Sequence, residues 1–311
     1  MPFDFSAVVT PFRMQPGLRR LAPGATQLTP LHHGDLALSE KLAVLSSFHS
    51  QALLVSPGFD PAPALDTLAR HAAAEHPRAF GWDGARAVAQ HLGWAVDSDR
   101  ALPLANPLPE VGCCLAALPA GWRMGGLLAL AFAEDFAIVD GSTGCVPWLA
   151  VCLPSHWAPE DKIGRHFTEI HAPVADNALL LAAGAGLMRM VTAPDRWERF
   201  VWTLSPHSRL HAHPHRRAPV AWPAHATPDE VAAQAFWRTE RQTFIPVPER
   251  RQAVFTIHVE VQPLASAVAD PAKAAQLRDA LASMSPAVLA YRALGPAREP
   301  LLAWLDKRAR G

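Results

Sequence analysis

From Trp122 onward the chain breaks into short runs of strand length, and this limits its fold more than any other feature. They lie at residues 127–132, 136–140, 146–153, 200–204, 236–244 and 253–261. Branched and aromatic residues fill them and turn residues bound them, so each is predicted as a strand. Asp140-Gly141 supplies a tight turn between the second and third. Strands that follow one another without helices between them favour an antiparallel meander. Helical periodicity sits before, inside and after this series. Residues 39–55, capped by Ser39 and with Leu42, Leu45, Phe48 and Leu53 towards one side, are predicted as a helix. So are 61–76 and 83–92, the latter capped by Asp83. One helix is expected inside the strand series, at 176–190, and three after it, at 271–284, 286–294 and 297–309. Pro2, Pro11, Pro16, Pro23 and Pro30 make residues 1–34 an irregular arm. The expectation is an α+β fold, an antiparallel sheet of about five or six strands with N-terminal, inserted and C-terminal helices. It divides into an N-terminal region 1–121, a sheet domain 122–264 and C-terminal helices 265–311, packed as one unit.

Half of the 311 residues are hydrophobic, ample for a folded core. The net charge is zero with histidine neutral, so nothing in the charge balance favours nucleic acid or an anionic membrane as partner. The longest apolar stretch, residues 178–188, is too short to span a bilayer, and no basic-then-apolar secretory pattern opens the chain. Cys113, Cys114, Cys145 and Cys152 show no C-x-x-C pairing and read as free, buried thiols of a reducing compartment, the cytoplasm.

Chemistry concentrates in residues 151–174. Pro154 stops the preceding strand. Pro159, with Glu160 and Asp161 behind it, suits a helix start, and Gly164 ends about one turn. Pro173 biases Ala172 towards extended geometry ahead of the next helix. His156, His171, Lys162 and Arg165 are thus presented on irregular backbone between regular elements. A lone histidine near apolar segments serves either as a structural group bonded to backbone or as a metal ligand, and the residues alone leave both open.

Two later stretches carry polar clusters. Alternation places Arg238, Glu240 and Gln242 on one face of a strand and Thr239, Arg241 and Thr243 on the other. In the next strand Thr256, His258, Glu260 and Gln262 oppose Phe255, Ile257, Val259 and Val261. Such a face is either a solvated exterior or the polar wall of a cavity. In the second case Arg238 or Arg241 grips a carboxylate, and Glu240 holds an arginine rather than acting as a base. His207, His211, His213 and His215 invite a metal, but Pro214 breaks helical spacing and no carboxylate adjoins them in sequence. A mobile, solvated loop is expected there. No G-x-S-x-G, phosphate loop or dinucleotide fingerprint occurs.

Four ordered blocks resemble the haem-dependent oxidative N-demethylases, specifically their haem-bearing alpha subunit. They are Pro11-Phe-Arg-Met with Leu18-Arg-Arg-Leu; Leu153-Pro-Ser-His-Trp through Lys162-Ile-Gly-Arg to Ile170-His-Ala-Pro-Val; Arg238-Thr-Glu-Arg-Gln-Thr; and Val254-Phe-Thr-Ile with Gln262-Pro-Leu. The chain departs from the family's usual arginine at His156 and His258, and in the loop 207–215. The resemblance implies a PAS-like sheet, haem b, and oxidative removal of a methyl group from a small secondary amine with release of formaldehyde. It further implies that electrons leave through flavin and iron–sulfur partner subunits. His171 is the first choice of axial iron ligand and His156 the second; Arg165, Arg238 and Arg241, then Lys162, are the candidates for the propionates. The alternative with the same fold is a haem-binding sensor or carrier, or a haem-free subunit.

Overall fold

The two late alternating runs become the longest strands, and the sheet is assembled around them. In the structure, a computed structural model, residues 3–311 are described. The strands are β1 (Arg19–Arg20), β2 (Leu53–Val55), β3 (Phe80–Trp82), β4 (Arg86–Ala89), β5 (Trp94–Asp97), β6 (Arg100–Pro103), β7 (Asp135–Asp140), β8 (Trp148–Ala150), β9 (Trp197–Ser205), β10 (Phe236–Val247) and β11 (Gln252–Pro263). A seven-stranded sheet runs β1-β9-β10-β11-β7-β8-β2, and β3 to β6 form a separate four-stranded meander. Every strand pair is antiparallel.

The helices are α1 (Leu36–Ala52), α2 (Ala62–Glu75), α3 (Pro109–Ala117), α4 (Arg123–Ala131), α5 (Phe167–His171), α6 (Ala178–Val191), α7 (Pro228–Ala233), α8 (Leu264–Ala267), α9 (Pro271–Ala282), α10 (Pro286–Tyr291) and α11 (Arg298–Ala309). Helices α1 to α4, the small meander and one face of the large sheet share the main core, through Leu45, Leu68, Phe80, Leu115, Leu128, Phe136, Ile138 and Val254. The C-terminal helices close a second core around Trp202, Leu204 and Trp237, to which the arm adds Phe3, Phe5, Phe12 and Met14. The other face of the sheet meets the insertion between β8 and β9: Met188 and Val191 of α6 pack with Val139, Phe244 and Ala253. We call these the core face and the insert face.

Several sequence expectations change. Residues 127–132, expected as a strand, lie mostly in α4, whose Gly125–Ala131 stretch is buried all round. A short apolar run has no face to alternate, so period alone does not separate strand from helix. Residues 83–92, expected as a helix, hold β4 and a 3₁₀ turn; Asp83 accepts the Ala85 and Arg86 N–H groups as a turn residue, not a cap. The first helix starts before Ser39 and stops at Ala52, and Leu53–Val55 pairs with β8. The third expected strand shrinks to Trp148–Ala150.

Burial decides between two open readings of the strands and overturns one expectation. The polar faces of β10 and β11 are not a solvated exterior: Arg238, Thr239, Glu240, Arg241, Thr243 and Thr256 are all buried. Nor is the histidine loop solvated throughout. His211 and His213 are buried; His211 Nδ1 donates to the Cys152 carbonyl at 2.7 Å, and His213 Nε2 meets the Glu160 carboxylate at 3.0 Å. Glu40 accepts the Leu210 and His211 N–H groups, so the carboxylates absent beside these histidines in sequence arrive from elsewhere in the fold. All four cysteines are free, and Cys114 and Cys152 are buried while Cys113 is exposed. Among the described residues no helix is long and apolar enough to cross a membrane.

Candidate functional site

Register fixes what shares the insert face. Arg199 lies opposite Gln242, Val201 opposite Glu240 and Thr203 opposite Arg238, while Glu240 faces Val259 on its other flank. Arg199, Val201 and Thr203 of β9 therefore stand with Arg238, Glu240 and Gln242 of β10 and with Ile257, Val259 and Val261 of β11. The levels of Arg199 and Arg238 are four residues apart, about 13 Å at the rise of a strand.

The insertion is fastened over this face at both ends. At one end Arg238, 1% exposed, donates through Nε to Ser155 Oγ at 2.8 Å and through its terminal nitrogens to the carbonyls of Arg209, Leu210 and Pro154. It ties the Pro154-Ser155 turn to the histidine loop. His156 follows with a left-handed φ of 63° and stacks loosely on His207, ring centroids 5.4 Å apart. Burial, then the Arg238 guanidinium, pushes both imidazoles down to about 4. His207 Nδ1 is buried without a partner among the described residues.

At the other end is α5. His166 caps it, its ring accepting the Thr168 N–H while Glu169 accepts the N–H of His166. Phe167 enters the cluster with Met188, Phe244 and Phe255. Gly184 of α6 permits the approach, because a Cβ there would sit 2.9 Å from the Phe167 ring. His171 is the last residue of α5 and not on irregular backbone as expected. Its ring stacks on Phe167 at 4.1 Å, and its Nδ1 donates to the Phe167 carbonyl at 2.8 Å. A carbonyl can only accept, so Nδ1 carries the hydrogen and Nε2 is left with its lone pair. Burial lowers the His171 pKa against the pull of that carbonyl, and the charges of Arg199 and Lys162 lower it further. A neutral imidazole with Nδ1 fixed on a backbone carbonyl is the form that binds a metal through Nε2.

The other site candidates fall in different places. Lys162 donates to the Ile170 carbonyl at 3.3 Å, its pKa lowered by burial, and lies within electrostatic reach of His171. Arg165 is exposed at the end of the same turn. Arg241 points to the core face, paired with Glu198 at 3.0 Å and bonded to the Thr26 carbonyl at 2.7 Å. The fold thus gathers His171 with Lys162, and His156 with Arg238, at opposite ends of one face, and sends Arg241 to the other side.

Sequence reasoning missed Arg199. Its guanidinium makes no hydrogen bond or ion pair among the described residues, its Nε is buried, and burial lowers its pKa. The expected strand began at Phe200, which left Arg199 outside the alternation that would have set it beside Val201 and Thr203. Tyr291 and Arg292, at the end of α10, also went unnoticed; both lie within electrostatic reach of Glu240. Glu240 does not hold an arginine: its hydrogen bond comes from Gln242 Nε2 at 2.6 Å.

Among the described residues no three His, Cys, Asp or Glu side chains converge to hold a bare metal ion. One imidazole with a free nitrogen, an unpaired guanidinium and an apolar strand surface suit a different kind of guest, one that brings most of its iron ligands with it. A macrocycle asks for an axial donor, apolar walls and cations for its carboxylates. That donor set fits haem. The match of the family model to residues 38–302, more than half of the chain, is in accord: the chain belongs to the haem-dependent oxidative N-demethylase, alpha subunit-like family.

Proposed function

We propose that this chain holds haem b on the insert face and takes part in the oxidative N-demethylation of a small secondary amine, releasing formaldehyde. The observation that carries the reading is His171, whose Nδ1 is occupied by the Phe167 carbonyl while Nε2 makes no hydrogen bond among the described residues, within electrostatic reach of Arg199 and Lys162. His171 is the proposed axial ligand; His156, at the far end with Arg238 and His207, is not. Arg199 and Lys162 are proposed for the propionates, with Arg165 the outer candidate. Arg238 and Arg241 have their donors engaged by protein groups and serve as framework.

When bound, haem supplies the redox chemistry of the reaction. The balance is R–NH–CH₃ and water to R–NH₂ and formaldehyde, with two electrons and two protons passed on. Phe167 and Asn177 fix the imidazole's helix, the first through its carbonyl on Nδ1 and the second by donating to the His171 and Ala172 carbonyls. Val201, Ile257 and Val259 offer the amine an apolar wall that keeps water from it. Flavin and iron–sulfur subunits are the proposed electron acceptors, since the four cysteines here are not grouped as a cluster would need. The alpha-subunit character of the family supports a multi-subunit assembly.

The order of the five central strands supports the PAS-like reading. Taken in chain order β7, β8, β9, β10, β11, they lie as third, fourth, fifth, first, second, with helices inserted between the second and third. The partition at residues 121 and 264 and a cytoplasmic location, favoured by the free thiols, belong to the same proposal. The test is the visible spectrum of the chain purified with haem, then anaerobic addition of dimethylamine. A histidine-ligated spectrum, haem reduction and formaldehyde are expected; no haem uptake, or no response to any methylamine, rejects the reading.

A further inference from the structure

The buried acidic side chains of this chain are Glu134, Asp135, Glu198 and Glu240. Three have a basic partner. Glu134 accepts the Thr29 N–H and meets His258; Asp135 accepts the Leu153 N–H and pairs with Lys41 at 3.2 Å; Glu198 pairs with both Arg19 and Arg241. Glu240 is the exception. It is 9% exposed, no basic nitrogen comes within 4.0 Å of it among the described residues, and its one side-chain partner is the neutral Gln242 amide. Its Oε1 accepts no hydrogen bond among the described residues and is not among the atoms sealed from solvent, so a guest can reach it. A largely buried carboxylate with one oxygen open to a guest and no basic partner asks for an explanation.

The surroundings say what would complete it. Val201 and Val259 sit directly opposite Glu240 on the two flanking strands, so the carboxylate rises from an apolar floor. Gln242 holds Oε2 and so orients the group. Arg199, Arg238 and Arg292 lie within electrostatic reach and offset part of the cost of its charge, but none approaches to pair with it. The missing partner is therefore a small cation with an N–H donor and apolar flanks. A dialkylammonium ion has that form, one N–H for Oε1 and methyl groups for the valines.

We propose that Glu240 is the anchor for the ammonium group of the substrate, which binds as a cation against Val201 and Val259 with Gln242 as a positioning residue. This rests on the haem-demethylase reading and adds the residue that selects for amines. The experiment is calorimetric titration of the haem-loaded chain with dimethylammonium chloride. Glu240→Gln keeps the shape and the contact with Gln242, and it raises the Kd about tenfold to a hundredfold, the size of a charge-assisted hydrogen bond in a dry site. Haem content and the Soret band stay unchanged in this variant. In the unsubstituted chain dimethylammonium binds in preference to N,N-dimethylformamide, a neutral molecule of similar bulk, an arm that needs no variant to fold. Equal Kd values for the two proteins, no preference over the neutral compound, or no dimethylammonium binding at all overturns the anchor while the haem reading stands. A chain that takes up no haem yet shows Glu240-dependent binding supports the anchor and rejects the haem reading.

Discussion

The two faces of the central sheet bury the same kinds of charge and treat them differently. On the core face Arg241 has Glu198 and the Thr26 carbonyl, and Glu198 has a second arginine, Arg19. On the insert face of the same two strands, Arg199 and Glu240 share neither an ion pair nor, among the described residues, a full set of hydrogen bonds. Buried ion pairs contribute little net stability, but breaking one leaves a charge stranded. A face with every charge matched is framework. The insert face, where among the described residues a guanidinium, one carboxylate oxygen and one imidazole nitrogen have no partner, is the face proposed to take its partners from outside the chain.

The largest expected effect tests this contrast directly. Arg241→Met leaves Glu198 Oε2 and the Thr26 carbonyl without their buried donor, with Arg19 alone on Glu198, and costs about 2–4 kcal/mol in urea denaturation, whereas Arg199→Met costs less than about 1 kcal/mol because no partner is left behind. The reverse ranking would break the comparison. Next, His171→Ala lowers haem affinity by about a hundredfold with the haem-free stability little changed, read by haem titration and denaturation of the same variant. Gly184→Ala brings a methyl group to 2.9 Å from Phe167 and costs about 1–3 kcal/mol by overpacking. Because Phe167 holds His171, the haem spectrum shifts with it, and a stability change without a spectral change would separate α5 from the site.

The smallest effect is a pH dependence of the far end. His207 is held at about 4 by burial and by Arg238, below the ordinary imidazole value of about 6.5. A depressed folded value means that the stability it lends is present above pH about 6.5 and is lost as the pH falls towards 4. Amide exchange in residues 205–215 should therefore accelerate across that window ahead of exchange in β10. Uniform acceleration of both would show that the loop does not open by itself.

Much of the sheet was legible: β11 alternates polar and apolar sides, and the branched and aromatic runs of β7, β9 and β10 are of strand length between turn residues, so all four overlap the expected runs. The meander of β3 to β6 was not, since strands of three and four residues are too short to display a period. Lys41 shows another limit. It lies in an ordinary-looking helix yet is fully buried, its ammonium bonded to the Phe132 and Glu134 carbonyls, which are 91 and 93 residues away in sequence. Of the proposed site, His171 was singled out by resemblance and local context. Arg199 and the isolation of Glu240 depend on which strands lie side by side, and no local pattern carries that information.

The composition leaves one practical gift at this site. The chain has a single tyrosine among ten tryptophans, and Tyr291 stands 51% exposed within electrostatic reach of Glu240. Phenolic absorbance in the near ultraviolet, or the rate of nitration, therefore has only one possible origin. Any guest that settles near the Glu240 carboxylate, coloured or not, can be followed through this native reporter without attaching a label.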